Sequence, residues 1–152
     1  MGAGVRNRPG GMGNEAGYVV KATGTFTMKS WEEKPYAEIE GAPKIAHAYT
    51  TNTYTGEISG ESTANYVIVY PEDTVGVFIG YEQIVGRIGD REGSFVVEGR
   101  GSWEGGTVTT EWTGIEGMAA GDLAGLTGTG SYVARHEIPE TPVTLEYELP
   151  RS

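Results

Sequence analysis

From Tyr18 to Leu149 apolar and polar side chains alternate with a period of two, and clusters of Gly, Pro, Asp and Asn interrupt the alternation at short intervals. That period belongs to strands buried on one face, not to helices. It predicts eight strands: 18–31, 44–54, 57–70, 74–89, 92–103, 107–115, 127–136 and 142–149. A polar loop carrying Pro35 and Pro43 separates the first two. A Gly- and Ala-rich segment, Gly117 to Leu126, with room for one helical turn, separates the sixth and seventh. The other connections are hairpin-short. Long strands joined this way suit an all-β fold: a single antiparallel closed barrel of about eight strands around a central cavity, in preference to a sandwich.

Chaining hairpin registers assigns the faces, because side chains alternate and opposite residues share a side. A two-residue turn at Asp90-Arg91 pairs Gly89 with Glu92, Glu82 with Gly99 and Phe78 with Trp103. The apolar face of strand five, Phe95, Val97, Gly99 and Trp103, then points inward and carries Phe78, Glu82 and Ile84 with it. A four-residue loop at Pro71 to Thr74 pairs Thr63 with Glu82 and Glu61 with Ile84. On that register Glu61, Thr63, Asn65 and Val67 face in, and Ile58, Tyr66, Ile68 and Tyr70 face out. One extra residue in that loop would exchange the two sets. The Thr55-Gly56 turn places Asn52 and Tyr54 inside. Val108, Trp112, Val143, Leu145 and Tyr147 complete the inner wall.

The predicted interior is therefore aromatic, with a few polar groups, the usual make-up of a small-molecule site. Two carboxylates on neighbouring strands, Glu82 and Glu61, are the candidate catalytic residues. Burial disfavours the charged form of each, and their proximity suits one protonated donor beside one anionic acceptor. Asn52, Tyr54, Asn65, Phe78, Phe95, Trp103, Trp112 and Tyr147 are the candidate substrate-binding residues. The alternative role for the carboxylates is to stitch strands together through hydrogen bonds. The expected outer face of strands three and four is also apolar: Tyr66, Ile68, Tyr70, Val75, Val77, Ile79 and Tyr81. A band of that size marks an interface between copies of the chain, unless the loop after Trp31 folds over it.

Composition narrows the classes. The chain has 152 residues, enough for one domain with a real core, and its 25 Gly are dispersed without period. Residues 1–17 hold almost nothing to bury and are read as a disordered leader, with the barrel domain over 18–152. A net charge of −10 argues against nucleic acid and anionic membrane surfaces. No cysteine is present, so thiol chemistry and Cys-bound metal are excluded. His47 faces out beside Ile45 and Tyr49, and neither it nor His136 has metal-ligand spacing, so no metal is expected. No GxSxG elbow occurs, and the Gly pairs at 99–101 and 128–130 lie within strands rather than before a helix, so no cofactor is expected. Without a long apolar run or a signal-like start, the chain is read as cytoplasmic.

Several segments, taken in order, resemble one family: Gly-Thr-Phe at 24–26, Ser30-Trp31, Gly60-Glu61, Val77 to Gly86 with Glu82, Arg91-Glu92-Gly93-Ser94-Phe95, and Leu123-Ala124-Gly125-Leu126. They resemble the bacterial domain-of-unknown-function family DUF3224, over about Ala22 to Leu149. The resemblance implies a barrel similar to that of allene oxide cyclase, often assembled as an oligomer, and no established activity. Relatives carry Gln-His where this chain has Glu98-Gly99. With Gly99 opposite Glu82 on the expected register, an interior pair of Glu82 with such a His is missing here, and the glycine opens room beside Glu82.

These readings converge on a cofactor-independent isomerase or cyclase of secondary metabolism. It would bind a flexible, mostly apolar small molecule in the lumen and associate with copies of itself through strands three and four. A lipocalin-like carrier without catalysis is the alternative, and a structural oligomer the third.

Overall fold

Eight strands run in chain order around a closed antiparallel barrel in the computed structural model, which describes residues 19–150. They are β1 (Val20–Ala37), β2 (Lys44–Gly56), β3 (Ile58–Glu72), β4 (Val75–Ile88), β5 (Arg91–Glu104), β6 (Thr107–Gly121), β7 (Thr127–Arg135) and β8 (Glu140–Glu148). The barrel closes where Val20–Thr27 of β1 pairs with Glu140–Tyr147 of β8. The expected leader lies outside the described residues. No helix among the described residues is long and apolar enough to cross a membrane.

Two strands outrun their expected ends. β1 continues past Trp31 through the expected loop, staying paired with β2 as far as Ala37. Pro35 is tolerated there because β8 accompanies β1 only as far as Thr27, so the other edge of β1 needs no ladder donor. The Gly- and Ala-rich stretch is strand as well. β6 runs to Gly121 by bulging between its pairings to Phe95 and Val97, and only Asp122–Gly125 turns. A bulge absorbs surplus residues without ending the ladder.

Register decides which side chains share the interior. The β4–β5 turn falls on Gly89-Asp90, so Ile88 faces Arg91, Glu82 faces Val97 and Gly80 faces Gly99. The shift from expectation is two residues, so Phe78, Glu82, Phe95 and Trp103 keep the inward face while every cross-strand partner changes. Gly99 is therefore not opposite Glu82. The β3–β4 hairpin carries a bulge between Val69 and Glu72, which brings Ala64 opposite Glu82. That single step inverts strand three. Ser62, Ala64, Tyr66 and Ile68 are buried inside, whereas Glu61, Thr63, Asn65 and Val67 lie outside.

The β2–β3 connection is also displaced. Tyr54 pairs with Gly60 instead of Glu57, and Ile58 turns to pair with Gly24 of β1. This displacement is odd as well, so it cancels the inversion, and Asn52 and Tyr54 do face inward. Ile58, expected outside, is fully buried.

The barrel has a closed end and an open end. At the closed end Ile58, Ile84, Ile88, Phe95, Val143 and Leu145 are no more than 2% exposed. Leu123 and Leu126, from the turn after β6, seal this floor with Ala22 and Tyr147. At the other end the inward positions Phe78, Gly101, Trp103, Val108, Tyr132 and Ala134 remain half-buried.

Candidate functional site

Between floor and mouth sits the one fully buried carboxylate among the described residues. Glu82, on the inward face of β4, is 1% exposed. The Tyr54 hydroxyl donates to its Oε2 at 2.6 Å, the Ser62 hydroxyl at 2.6 Å, and the Asn52 amide Nδ2 at 3.2 Å. All three donors converge on one oxygen, and among the described residues no donor reaches Oε1. Burial raises the Glu82 pKa above its ordinary value, and the bonds from Ser62, Tyr54 and Asn52 oppose that rise.

The donors come from neighbouring strands for a simple reason. Asn52 and Tyr54 are alternate residues of β2, and Asn52 pairs with Ser62 of β3. Ala64 lies opposite Glu82 of β4, and Ser62 is the next inward residue of β3. Alternation thus brings three small polar ends to one carboxylate on a single patch of inner wall.

Aromatic rings enclose this patch. Tyr54 packs against Phe26 at 5.4 Å and Trp112 at 6.3 Å between ring centroids, and Tyr132 meets Phe26 edge-on at 4.9 Å and Trp112 edge-on at 6.0 Å. Burial, and then the Glu82 charge, push the Tyr54 pKa well up and that of Tyr132 up to about 12. The Tyr66 pKa is raised as well, by burial first and then by Tyr132 and Glu82. These phenols stay protonated across the ordinary pH range, so Glu82 is the group here whose charge can change. The Tyr132 hydroxyl lies beside Tyr66 and Thr110 without reaching good hydrogen-bond geometry to Thr110.

Three buried polar atoms of this layer have no partner: Asn52 Oδ1, Thr110 Oγ1 and Trp112 Nε1. Thr110 and Trp112 are alternate inward residues of β6, facing Gly101 and Gly99 of β5.

Tyr66 occupies the room expected beside Glu82. A Cβ built on Gly80 would sit 2.6 Å from Tyr66 Cδ1, and one on Gly99 would sit 3.7 Å from Tyr66 Cε1. The facing glycines of β4 and β5 therefore form a bed for the Tyr66 ring, not an opening.

The open rim has its own polar contacts. Glu33 accepts from the Tyr70 hydroxyl at 2.5 Å and from the Trp31 indole N–H at 3.2 Å. Tyr70 meets Trp103 edge-on at 6.1 Å, and Lys44 lies 4.5 Å above the Tyr70 ring. An open groove of about 460 Å³ crosses the wall at Phe78, Ile79, Arg100 and Glu111 but does not include Glu82.

The sequence-derived candidates divide accordingly. Glu82, Asn52, Tyr54 and Trp112 are brought together. Phe78 and Trp103 line the inner wall towards the mouth. Phe95 and Tyr147 face inward but belong to the packed floor. Asn65 points outward. Glu61 is exposed and bonded to Lys29 at 3.0 Å, and that bond to Lys29 lowers its pKa. Glu61 and Glu82 do not form the expected pair, because the β3–β4 bulge carries Glu61 to the other face. Reading the sequence missed Ser62, Tyr66, Thr110 and Tyr132. The first two lie on the inverted strand, and the others sit among small residues whose alternation is faint. Among the described residues no group of three His, Cys, Asp or Glu is placed to hold a metal.

Comparison with known proteins adds the family and the fold. The family described as "Protein of unknown function (DUF3224)" matches residues 22–147. A crystal structure of a protein of unknown function from that family, from Shewanella oneidensis MR-1, superposes with a TM-score of 0.70 at 22% identity, covering 88% of this chain and 99% of that one. At that identity the likeness speaks to the barrel alone. No curated protein matches the chain.

Proposed function

The chain belongs to the DUF3224 family of proteins of unknown function, and from its interior we propose a cofactor-independent isomerase or cyclase with Glu82 as its single acid–base group. A flexible, mostly apolar molecule enters at the half-open end. It lies along Phe78, Trp103 and Ile68 and brings its reactive part to Glu82. The observation that carries this reading is the bonding of the carboxylate: three donors on Oε2 and none on Oε1. A carboxylate held this way stays oriented in either charge state and keeps one oxygen for a proton in transit. Burial lifts its pKa towards the range where it can both give and take that proton. The aromatic wall would hold the substrate in a reactive fold, an entropic contribution.

The loss of Glu61 from the interior favours a second reading. One carboxyl surrounded by phenols that stay neutral also suits a carrier that anchors a ligand without changing it. Native mass spectrometry of the purified protein, followed by extraction and identification of what it holds, separates the two. An enzyme converts the recovered compound, and Glu82→Gln stops conversion while the ligand still binds. A carrier returns the compound unchanged in both forms. An interior that takes up no small molecule overturns both readings.

We also propose that copies of the chain associate through the outer face of β3 and β4. The residues differ from those expected. Tyr66 and Ile68 are inside, and the apolar band is Tyr49, Val67, Val77, Ile79 and Tyr81, each between 38% and 54% exposed. β1 runs alongside β2, so the segment after Trp31 leaves this band open. Cross-strand pairing makes the band continuous, with Val67 beside Ile79 and Val69 beside Val77. Sedimentation of the wild type is expected to show an oligomer, and Ile79→Lys a folded monomer. A monomeric wild type at tens of micromolar refutes the association.

A further inference from the structure

On the outer wall, Arg100 of β5 and Glu111 of β6 are direct cross-strand partners. Opposite charges so placed have Cβ atoms about 4.5–5.5 Å apart and ordinarily meet. Here they do not. The Arg100 guanidinium bonds back along its own strand to Glu98 at 3.4 Å, and Glu111 makes no ion pair among the described residues. The open groove of about 460 Å³ takes in both side chains instead. Ser102 and Thr109 are the next outward pair on the same two strands, and they line the groove as well. Each strand thus lends one charge and one hydroxyl: Arg100 and Ser102 from β5, Glu111 and Thr109 from β6. Between these two rows the floor is Gly101, which has no side chain. A Cβ there would sit 1.9 Å from the Thr109 carbonyl oxygen and 3.0 Å from Phe78 Cζ, so the two strands approach closely at this point. On the β4 side the groove is bordered by Ile79, the partner of Arg100.

From this arrangement we propose a surface binding site, separate from the lumen, for a small zwitterion with a branched apolar side chain: the chemistry of a free α-amino acid such as leucine. The ligand carboxylate accepts from Arg100 and from the Ser102 hydroxyl. The ligand ammonium donates to Glu111 and to the Thr109 hydroxyl, and the apolar side chain lies on Ile79. Arg100 has donors to spare, since a guanidinium carries five N–H groups and its bond to Glu98 uses one. Charge selects against simpler ligands. A plain carboxylate would meet Glu98 and Glu111 as like charges, on a chain whose net charge is already −10. A plain amine would give Arg100 nothing. A ligand carrying both charges bridges the facing pair that does not meet by itself. Ile79 is shared with the apolar band of β3 and β4, but the four polar residues lie beyond it on β5 and β6. None of the four belongs to the Glu82 layer, so the site stands whether or not the lumen takes a ligand.

The test uses the full-length chain labelled with ¹⁵N and three probes: L-leucine, 4-methylpentanoate, which lacks the ammonium, and 3-methylbutylamine, which lacks the carboxylate. Titration at constant pH and salt is followed on the Gly101 and Ser102 amide resonances. Leucine is expected to shift them and to saturate with a Kd of about 1–10 mM, as suits a small ligand in an open groove. Each singly charged probe is expected to bind at least about tenfold more weakly. Arg100→Gln and Glu111→Gln, both on the exposed outer face, are expected to keep the amide spectrum of the folded barrel and each to weaken leucine at least about tenfold. No saturable shift with leucine up to about 20 mM overturns the site. Equal affinity for 4-methylpentanoate or 3-methylbutylamine overturns the zwitterion assignment. Leucine binding that is unchanged in both variants, or shifts centred on Tyr54 and Ser62 instead of Gly101, overturns the location. Should either variant fail to fold, the ranking of the three probes on the wild type decides.

Discussion

Glu82→Leu is expected to lower the free energy of unfolding by roughly 2–4 kcal/mol, while Glu82→Gln stays within about 1–2 kcal/mol of wild type. The Tyr54 hydroxyl, the Ser62 hydroxyl and the Asn52 amide all donate to Oε2. Leucine fills much of the same volume but accepts nothing, so three buried donors lose their partner at once. Each such loss costs about 1–3 kcal/mol, partly offset because a buried charge also disappears. Glutamine keeps an acceptor at the Oε2 position and gives up only the charge.

The pH dependence separates the contributions further. The folded pKa of Glu82 lies above the ordinary value of 4.5. Between that value and the folded one, the folded state holds a proton that the unfolded chain has released. The stabilisation from protonated Glu82 is therefore complete below about 4.5 and is lost as pH rises through the folded value. Urea titrations across this window should show wild type falling relative to Glu82→Gln as pH increases. A Leu variant as stable as wild type would show that the carboxylate does not organise this layer. A parallel pH course for wild type and Glu82→Gln would show that its pKa is not raised.

Gly80→Ala is the second large effect, a loss of about 3 kcal/mol or more that is expected to leave little folded protein. A Cβ at Gly80 would lie 1.9 Å from the Asn65 carbonyl oxygen and 2.6 Å from Tyr66 Cδ1. The first neighbour is backbone in the middle of the β3–β4 ladder and cannot move without breaking the register that also places Ser62. Gly99, its partner across β5, provides the control. There the nearest atoms are 3.6–3.7 Å away, ordinary contact distance. Gly99→Ala should stay within about 1 kcal/mol and has room to stabilise by restricting the unfolded chain. Thermal melts of the two variants decide the point. Equal effects would mean that Tyr66 does not lie across this pair of glycines.

Much of the barrel was legible along the chain. Each strand alternates in a way that any reader of Phe95, Val97, Gly99 or of Val143, Leu145, Tyr147 can follow, because one face meets the core and the other meets solvent. Short Gly- and Asp-containing connections marked the hairpins. Glu82 stood out because a carboxylate on an otherwise apolar face needs a reason to be there. The ends of β1 and β6 were not legible, since Pro35 and the Gly-Ala stretch ordinarily signal a break. Pro35 is accommodated by an edge left open by β8, and the Gly-Ala stretch by a bulge against β5.

The chain alone determined which residues within one strand share a side, and hence that Glu82 faces the interior with Phe78 and Ile84. Only the tertiary structure decided which side each neighbouring strand presents to it. Relative faces across a hairpin depend on the parity of residues between the pairing positions, and a single bulge near Pro71 changes that parity at almost no local cost. That step put Ser62 beside Glu82 and sent Glu61 out to Lys29. It turned an expected pair of carboxylates into one carboxyl held by hydroxyls and an amide. A second odd displacement at Ile58–Gly60 returned Asn52 and Tyr54 to the inside, so an expectation reached by the wrong register still named the right residues. Local patterning carries no memory of such counts. They are settled by the closure of eight strands around a common core, where Ile58, Tyr66 and Ile68 gain more from burial than Glu61 and Asn65 would.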